Sequence, residues 1–264
     1  MVMTHSPPII LTVAGSDPSA GAGLQADLKT IHALGGYGVS AVTAVTVQNS
    51  STVTQVHPMP GALVADQMRA VLEDMPVAAI KLGMLGSAEV VEAVLRVLEA
   101  YPELPMVADT VLRGTGGGDL LTKEGVGPFV ERLIPRATLI TPNLDEAVRL
   151  AGVEPIEQLD EMESLAEKLR KQGAQAVLLT GGHLPGDTLQ DLLSTPEGVW
   201  TWHAQRLSGP GFHGTGCTLA SAVATGLAHG QPLHQAVDRG VAYVRKTLEQ
   251  ALTLGQGQRL LKHL

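Results

Sequence analysis

Gly211-Phe212-His213-Gly214-Thr215-Gly216-Cys217-Thr218 runs directly into the apolar stretch from Leu219 to Leu227, and it places the only cysteine of the chain on what reads as the first turn of a helix. A glycine-rich turn that opens a helix gathers backbone N–H groups at the positive end of the helix dipole, which makes an anion site. The same field stabilises a thiolate, so the Cys217 pKa is expected to fall below the usual ~8.5. An anion cradle of Gly214, Thr215 and Gly216 beside an acid–base group is the equipment for phosphoryl transfer to an alcohol. A lone cysteine is more often a small buried hydrophobe; the glycines around this one favour chemistry.

Other residues carry chemistry at spacings that admit two readings. In Thr141-Pro142-Asn143-Leu144-Asp145-Glu146, Asn143 suits a helix N-cap and Glu146 falls at N3, which is a capping box. The same pair suits water-bridged Mg²⁺ held against phosphates, since that ion prefers oxygen ligands and retained water. Asp109 follows a short apolar run and is either a second carboxylate for the ion or a loop-start cap. Gln48 can donate and accept at once, matching the ring-nitrogen and amino edge of a heteroaromatic. Asp27 either accepts from a substrate hydroxyl or is a first-turn acid favourable to the dipole. Met84 packs on a flat ring or in the core. His183 and His213 contact phosphate or ring, or are ordinary loop histidines. The first glycine-rich loop, Gly15 to Gly23, is not a dinucleotide fingerprint: Gly21-Ala22-Gly23-Leu24-Gln25-Ala26 lacks the third glycine, and the next strand ends in Gln48 rather than an acid. A P-loop motif is absent from the sequence.

The elements that must position these groups follow from composition and period. Hydrophobic residues are 44% of the 264 while aromatics are 3%, so the core is built from Ala, Val, Leu and Ile, as in a parallel sheet covered on both faces. Buried-strand runs at 9–14, 39–47, 79–82, 106–108, 139–141 and 176–180 alternate with helical patterns at 24–31, 62–72, 91–98, 144–150, 165–169, 219–227 and 237–248. A hairpin is expected across 188–203 around Thr195-Pro196-Glu197-Gly198. The expectation is one doubly wound α/β/α sandwich over 1–264, with Asp17, Gln48, Met84, Asp109, Asn143 and Gly181 gathered at strand ends in one crevice. The net charge of -8 and the absence of a basic run argue against nucleic acid. One cysteine excludes an intrachain disulfide and a cysteine-based zinc cluster. Neither a signal peptide nor a membrane span is apparent, so a cytoplasmic protein without a membrane partner is expected.

The motifs occur together in an order that resembles one family. Ala14-Gly15-Ser16-Asp17 through Asp27-Leu28-Lys29, Gln48-Asn49, Lys81-Leu82-Gly83-Met84-Leu85, Thr141-Pro142-Asn143 with Glu146, Gly181-Gly182-His183 and His213-Gly214-Thr215-Gly216-Cys217 are similar to the hydroxymethylpyrimidine/phosphomethylpyrimidine kinases of thiamine biosynthesis, which have a ribokinase-like fold. The resemblance implies two successive phosphorylations, of 4-amino-5-hydroxymethyl-2-methylpyrimidine and then of its monophosphate, with ATP and Mg²⁺. It implies a pyrimidine pocket at Gly15, Asp27, Gln48, Met84 and Val111, an anion hole at Gly214, Thr215 and Gly216, and Cys217 as the base. Asn143, Thr180, Gly182 and His213 would serve the nucleotide, Asp109 and Glu146 the metal, and a homodimer is implied. Many relatives carry lysines where this chain has Thr180 and the loop Arg113 to Asp119; Arg113 then becomes the candidate cation, and the glycines of that loop suit a flap. A pyridoxal kinase on the same scaffold is the alternative activity, and a non-catalytic pyrimidine sensor the alternative class.

Overall fold

The computed structural model describes residues 6–112, 118, 120–156, 158–182, 186–209 and 211–264. In chain order the elements are β1 (Ile9–Ser16), α1 (Gly23–Ala33), β2 (Tyr37–Gln48), β3 (Val53–Pro58), α2 (Gly61–Asp74), β4 (Val77–Leu82), α3 (Ala88–Leu98), β5 (Met106–Ala108), α4 (Lys123–Pro128), β6 (Leu139–Ile140), α5 (Leu144–Ala151), α6 (Glu161–Lys171), β7 (Val177–Thr180), β8 (Thr188–Thr195), β9 (Gly198–Gln205), β10 (Phe212–His213), α7 (Thr215–Ala228), α8 (Leu233–Glu249) and β11 (Arg259–Leu260). A π turn (Phe129–Leu133) and a 3₁₀ turn (Ile134–Arg136) continue α4.

Nine strands form one sheet in the order β3-β2-β1-β4-β5-β6-β7-β8-β9. The pairs from β2 through β7 are parallel, while β2–β3, β7–β8 and β8–β9 are antiparallel. The parallel centre explains the apolar runs: Ile10, Leu11 and Val13 of β1, and Ile80 and Leu82 of β4, are buried because helices cover both faces. One core lies under α2, α3, α5 and α6, with Val64, Met68, Val94, Leu133, Ala147 and Leu165. The other lies under α1, α7 and α8, with Ile31, Leu219, Val223, Ala236 and Val237. The small residues of α7, Ala220, Ser221, Ala222 and Ala224, are fully buried and let this helix sit close against the sheet. This is the expected doubly wound α/β architecture. The edge strand β3 and the pair β10–β11 escape the sequence reading because they are short or exposed and lack a buried stripe.

Strand order reverses between β1 and β4, the switch point at which ligands bind in such sheets. A fully buried ion pair holds the elements together just below it. Lys81 Nζ (β4) lies 2.9 Å from both carboxylate oxygens of Asp27 (α1), and both side chains are inaccessible to solvent. Asp27 also accepts from Thr12 Oγ1 of β1 at 2.6 Å and Ser221 Oγ of α7 at 2.8 Å. Burial alone would lower the Lys81 pKa, but the charge of Asp27, joined by that of Asp109, more than reverses this and holds the ammonium charged. Removing one partner leaves an uncompensated buried charge. Lys81→Met should therefore cost about 3–5 kcal/mol of stability in a denaturant titration, and Lys81→Met/Asp27→Asn should recover a large part of it.

Candidate active site

The carboxyl ends of the parallel strands open into a cavity of about 1230 Å³. Of the residues expected to share one crevice, Asp17, Gln48, Met84, Asp109 and Asn143 line it, as do Gly15, Val111, Glu146, Thr180, Gly182, His213 and Gly214 through Cys217. Gly181 does not; its N–H is taken by Asp191 Oδ1 at 3.2 Å. Asp27 does not either. It was expected to meet a substrate hydroxyl, but α1 turns it inward, where the Lys81 ammonium and two hydroxyls saturate both its oxygens beneath the crevice floor. His183, Arg113 and the flap through Gly117 and Asp119 lie outside the described residues.

The two glycine-rich loops meet backbone to backbone. Gly214 has φ +88, and a Cβ there would collide with the Gly21 carbonyl, so only glycine permits this approach. Their amides have different fates. In the first loop the Asp17 carboxylate accepts from Ser19 N at 2.8 Å, Gly21 N at 3.1 Å and Ala22 N at 2.8 Å. That nest already holds an anion, the chain's own. In the second loop Gly214 caps α7 without any side-chain cap, and the first-turn residues Thr215, Gly216 and Cys217 line the crevice. The first three amides of a helix have no partner within the helix. The first loop is thus filled by the chain's own carboxylate while the N-terminus of α7 has no side-chain cap, a division the two similar glycine patterns do not reveal.

Cys217 stands at this turn, half-buried. Its pKa moves opposite to expectation. Burial pushes the thiol up to about 12, Asp109 and Asp27 push the same way, and Lys81 and the Gly23 N–H pull against them. The dipole of α7 is outweighed because the sulfur sits among two carboxylates in packed surroundings. Cys217 is thus a neutral thiol in the free protein, and it hydrogen-bonds the Asp109 carboxylate. Among the described residues Lys81 supplies the positive charge that these groups share, and the sequence reading assigned it no role. The available signal was a lysine in the middle of the apolar run Ala79-Ile80-Lys81-Leu82.

Asn143 and Glu146 form the capping box of α5: Asn143 Oδ1 accepts from Glu146 N at 2.9 Å, and Glu146 Oε2 accepts from Asn143 N at 3.1 Å. Glu146 Oε2 also accepts from Thr110 Oγ1 at 3.1 Å. Burial raises Glu146 to about 8, with the Asp109 charge adding to it. Burial likewise raises Asp109 to about 6, partly offset by Lys81. Two neighbouring carboxylates, each disfavoured as an anion, fit a hydrated divalent cation. Among the described residues no three His, Cys, Asp or Glu side chains form a metal cage.

His213, expected beside the nucleotide, is buried in the crevice wall just before the α7 turn, where its Nε2 lies 2.9 Å from Asp17 Oδ2 and 2.8 Å from the Gln48 amide. Gly21 needs no side chain because a Cβ would press on the His213 ring. Gly15 leaves room for the sulfur of Met84 in the same way, and Met84 is fixed by its carbonyl, which accepts from Thr43 Oγ1. Gln48, Met84, Gly15 and Val111 thus line the same crevice as the α7 turn.

Comparison with known proteins agrees with this geometry. The family model for phosphomethylpyrimidine kinase matches residues 17–262. The hydroxymethylpyrimidine/phosphomethylpyrimidine kinase of Bacillus subtilis is 41% identical over 254 residues, covering 96% of this chain and 93% of that one. The thiamine biosynthesis bifunctional protein ThiED of Geobacter sulfurreducens is 43% identical over 97% of this chain, which spans only 52% of that longer protein. Among solved structures, the phosphomethylpyrimidine kinase of Clostridium difficile 630 matches with a TM-score of 0.80 at 36% identity, covering 91% of this chain and 99% of that one. A Bacillus subtilis pyridoxal kinase solved as an ADP complex matches with a TM-score of 0.89 at 32% identity, covering 98% of each chain. An uncapped α7 N-terminus and two neighbouring desolvated carboxylates occur here in a chain that is matched from Asp17 to Lys262, and it belongs to the phosphomethylpyrimidine kinase family.

Proposed function

We propose that the protein transfers the γ-phosphoryl group of ATP to the hydroxymethyl group of 4-amino-5-hydroxymethyl-2-methylpyrimidine, and then to the resulting monophosphate. The observation that carries this reading is the juxtaposition of an unfilled helix-terminal anion site bearing Cys217 with a ring pocket at Gln48, Met84, Gly15 and Val111. Phosphoryl transfer depends on in-line positioning and charge stabilisation more than on covalent chemistry. The amides of Thr215, Gly216 and Cys217 stabilise the transferring group, and Lys81 adds a fixed positive field below them. Asn143, Thr180 and Gly182, which line the crevice, are assigned to the nucleotide in this reading. Asp109 and Glu146 would hold Mg²⁺ through water, and the ion would supply Lewis-acid neutralisation of phosphate charge. A cytoplasmic location, where ATP is supplied, is part of this reading.

The proton of the substrate alcohol goes to Cys217. Because its thiol is neutral at rest, its own proton must leave as the alcohol proton arrives, and Asp109, to which it hydrogen-bonds, is the neighbouring acceptor. The second phosphorylation has no alcohol to deprotonate.

Val45 and Val47 share one face of β2 and are exposed, at 45% and 48%. Adjacent β3 is an edge strand, and a second copy covering this apolar strip fits the homodimer. Sedimentation velocity should show a dimer that Val45→Lys/Val47→Lys shifts to monomer.

With Mg-ATP and three acceptors offered side by side, product is expected from the hydroxymethylpyrimidine and its monophosphate. Pyridoxal phosphate as the sole product would keep the kinase and overturn the substrate. Cys217→Ser should slow the first step by about 10²–10⁴-fold and the second by no more than a few-fold. Equal loss in both steps by a folded, substrate-binding variant counts against the role. Glu146 near 8 and Asp109 near 6 must both ionise to hold the cation. Mg-nucleotide affinity should therefore rise from pH 6 to pH 8 with proton release, readable by calorimetry in buffers of different ionisation enthalpy.

A further inference from the structure

Among the described residues, His213 is a buried ring held at one atom by two side chains. Nε2 lies 2.9 Å from Asp17 Oδ2 and 2.8 Å from Gln48 Nε2. Asp17 is an anion: burial would raise its pKa, but hydrogen bonds from His213, Ser19 and Ala22 bring it below the ordinary carboxylate value. A carboxylate oxygen at 2.9 Å from a ring nitrogen requires a proton between them, and Asp17 has none to give. Nε2 is therefore the protonated nitrogen. An amide N–H₂ cannot sit 2.8 Å from a nitrogen that is itself a donor, so the Gln48 amide presents its oxygen to His213, the alternative of the two nearly isosteric amide orientations.

A second contact requires the same orientation. Thr46 Oγ1 donates to the Ser16 carbonyl at 2.9 Å and lies 3.4 Å from the other end of the Gln48 amide. A hydroxyl has one proton, and the shorter bond takes it. Toward Gln48 it offers only lone pairs, which suit an N–H and not a carbonyl oxygen. With the amide so turned, the single Nε2–H of His213 is shared between two acceptors, Asp17 Oδ2 and the Gln48 oxygen, Gln48 donates to Thr46, and Thr46 donates to Ser16. The chain runs one way from His213 to the end of β1.

We propose that His213, anchored by Asp17, is a positioning residue that fixes the orientation of the Gln48 amide and so sets which heteroaromatic edge the pocket accepts. One Gln48 N–H remains for the ligand, together with the second lone pair of an oxygen already engaged by His213. The matching edge is an unprotonated ring nitrogen beside an amino group. A ring that offers a hydroxyl or an oxyanion at the amino position does not match it. The proposal rests on the pyrimidine-kinase reading for the identity of the substrate, but not for the protonation of the ring.

The test therefore has two arms. In the ligand-free full-length protein, long-range ¹H–¹⁵N correlation of the histidine rings should place a proton on His213 Nε2; a bare Nε2 overturns the proposal whatever the protein phosphorylates. In kinetics, His213→Phe removes the donor and His213→Gln restores one. His213→Phe should raise KM for the hydroxymethylpyrimidine about tenfold and narrow its preference over pyridoxal, with KM for ATP unchanged, and His213→Gln should recover much of both. Equal rises in both KM values, or an unaltered preference, overturn it. Should the parent protein not phosphorylate the pyrimidine at all, the functional reading fails and the NMR arm still decides this one. If His213→Phe does not fold, Gln48→Glu serves in its place: its carboxylate accepts from His213 but offers the ring no N–H, so pyrimidine turnover should fall while KM for ATP holds. Full pyrimidine turnover by Gln48→Glu overturns the proposal.

Discussion

The buried pair of Lys81 and Asp27 is the interaction on which the rest depends. It lies at the point where strand order reverses, and it joins β1, α1, β4 and α7 through one carboxylate and one ammonium, with Thr12 and Ser221 completing the contacts. Buried ion pairs are weak evidence for stability, because desolvation consumes most of the Coulomb gain. Here the position is more telling than the energy. The pair fixes the height of α7 against the sheet, and thereby the place where the amides of Thr215, Gly216 and Cys217 emerge. It also sets a cation directly under groups that must tolerate phosphate. A protein of net charge -8 can hold a triphosphate only if local positive potential outweighs the global field. Lys81 and the terminus of α7 provide it without a surface basic patch.

The two glycine-rich loops show how similar sequences take opposite electrostatic roles. The first folds around its own aspartate, so its amides are neutralised from within and it becomes scaffold, anchoring His213 and through it Gln48. The second has no internal acid, so its amides remain available to an incoming anion. A glycine-rich loop alone does not make a phosphate site. What decides is whether the chain supplies an anion of its own.

Most of the fold was legible because its elements are buried on both faces or carry one strong stripe. The runs at 9–14, 79–82 and 106–108 appear as strands within β1, β4 and β5, and the capping box at Asn143 and Glu146 forms as its spacing requires. β3 and the β10–β11 pair were not legible, since their pairing depends on partners distant in sequence. The site was legible as a set of strand-end residues. The assignment that the structure does not support, Asp27 toward substrate, has a plain cause. Motif position tells which loop a residue is on, but not the direction its side chain takes.

The sequence by itself determined the parallel sandwich, the crevice at the strand ends and the family, because hydrophobic periodicity and glycine placement are local properties written in order along the chain. Only the tertiary structure decided the charge states. Cys217 rests as a thiol because Asp109 and Asp27, far from it in sequence, meet it in a desolvated floor. Asp27 is structural because Lys81 lies opposite it, and the Gln48 amide is oriented because Asp17 lies behind His213. Protonation depends on distance and solvent exclusion, and neither exists until the chain has folded.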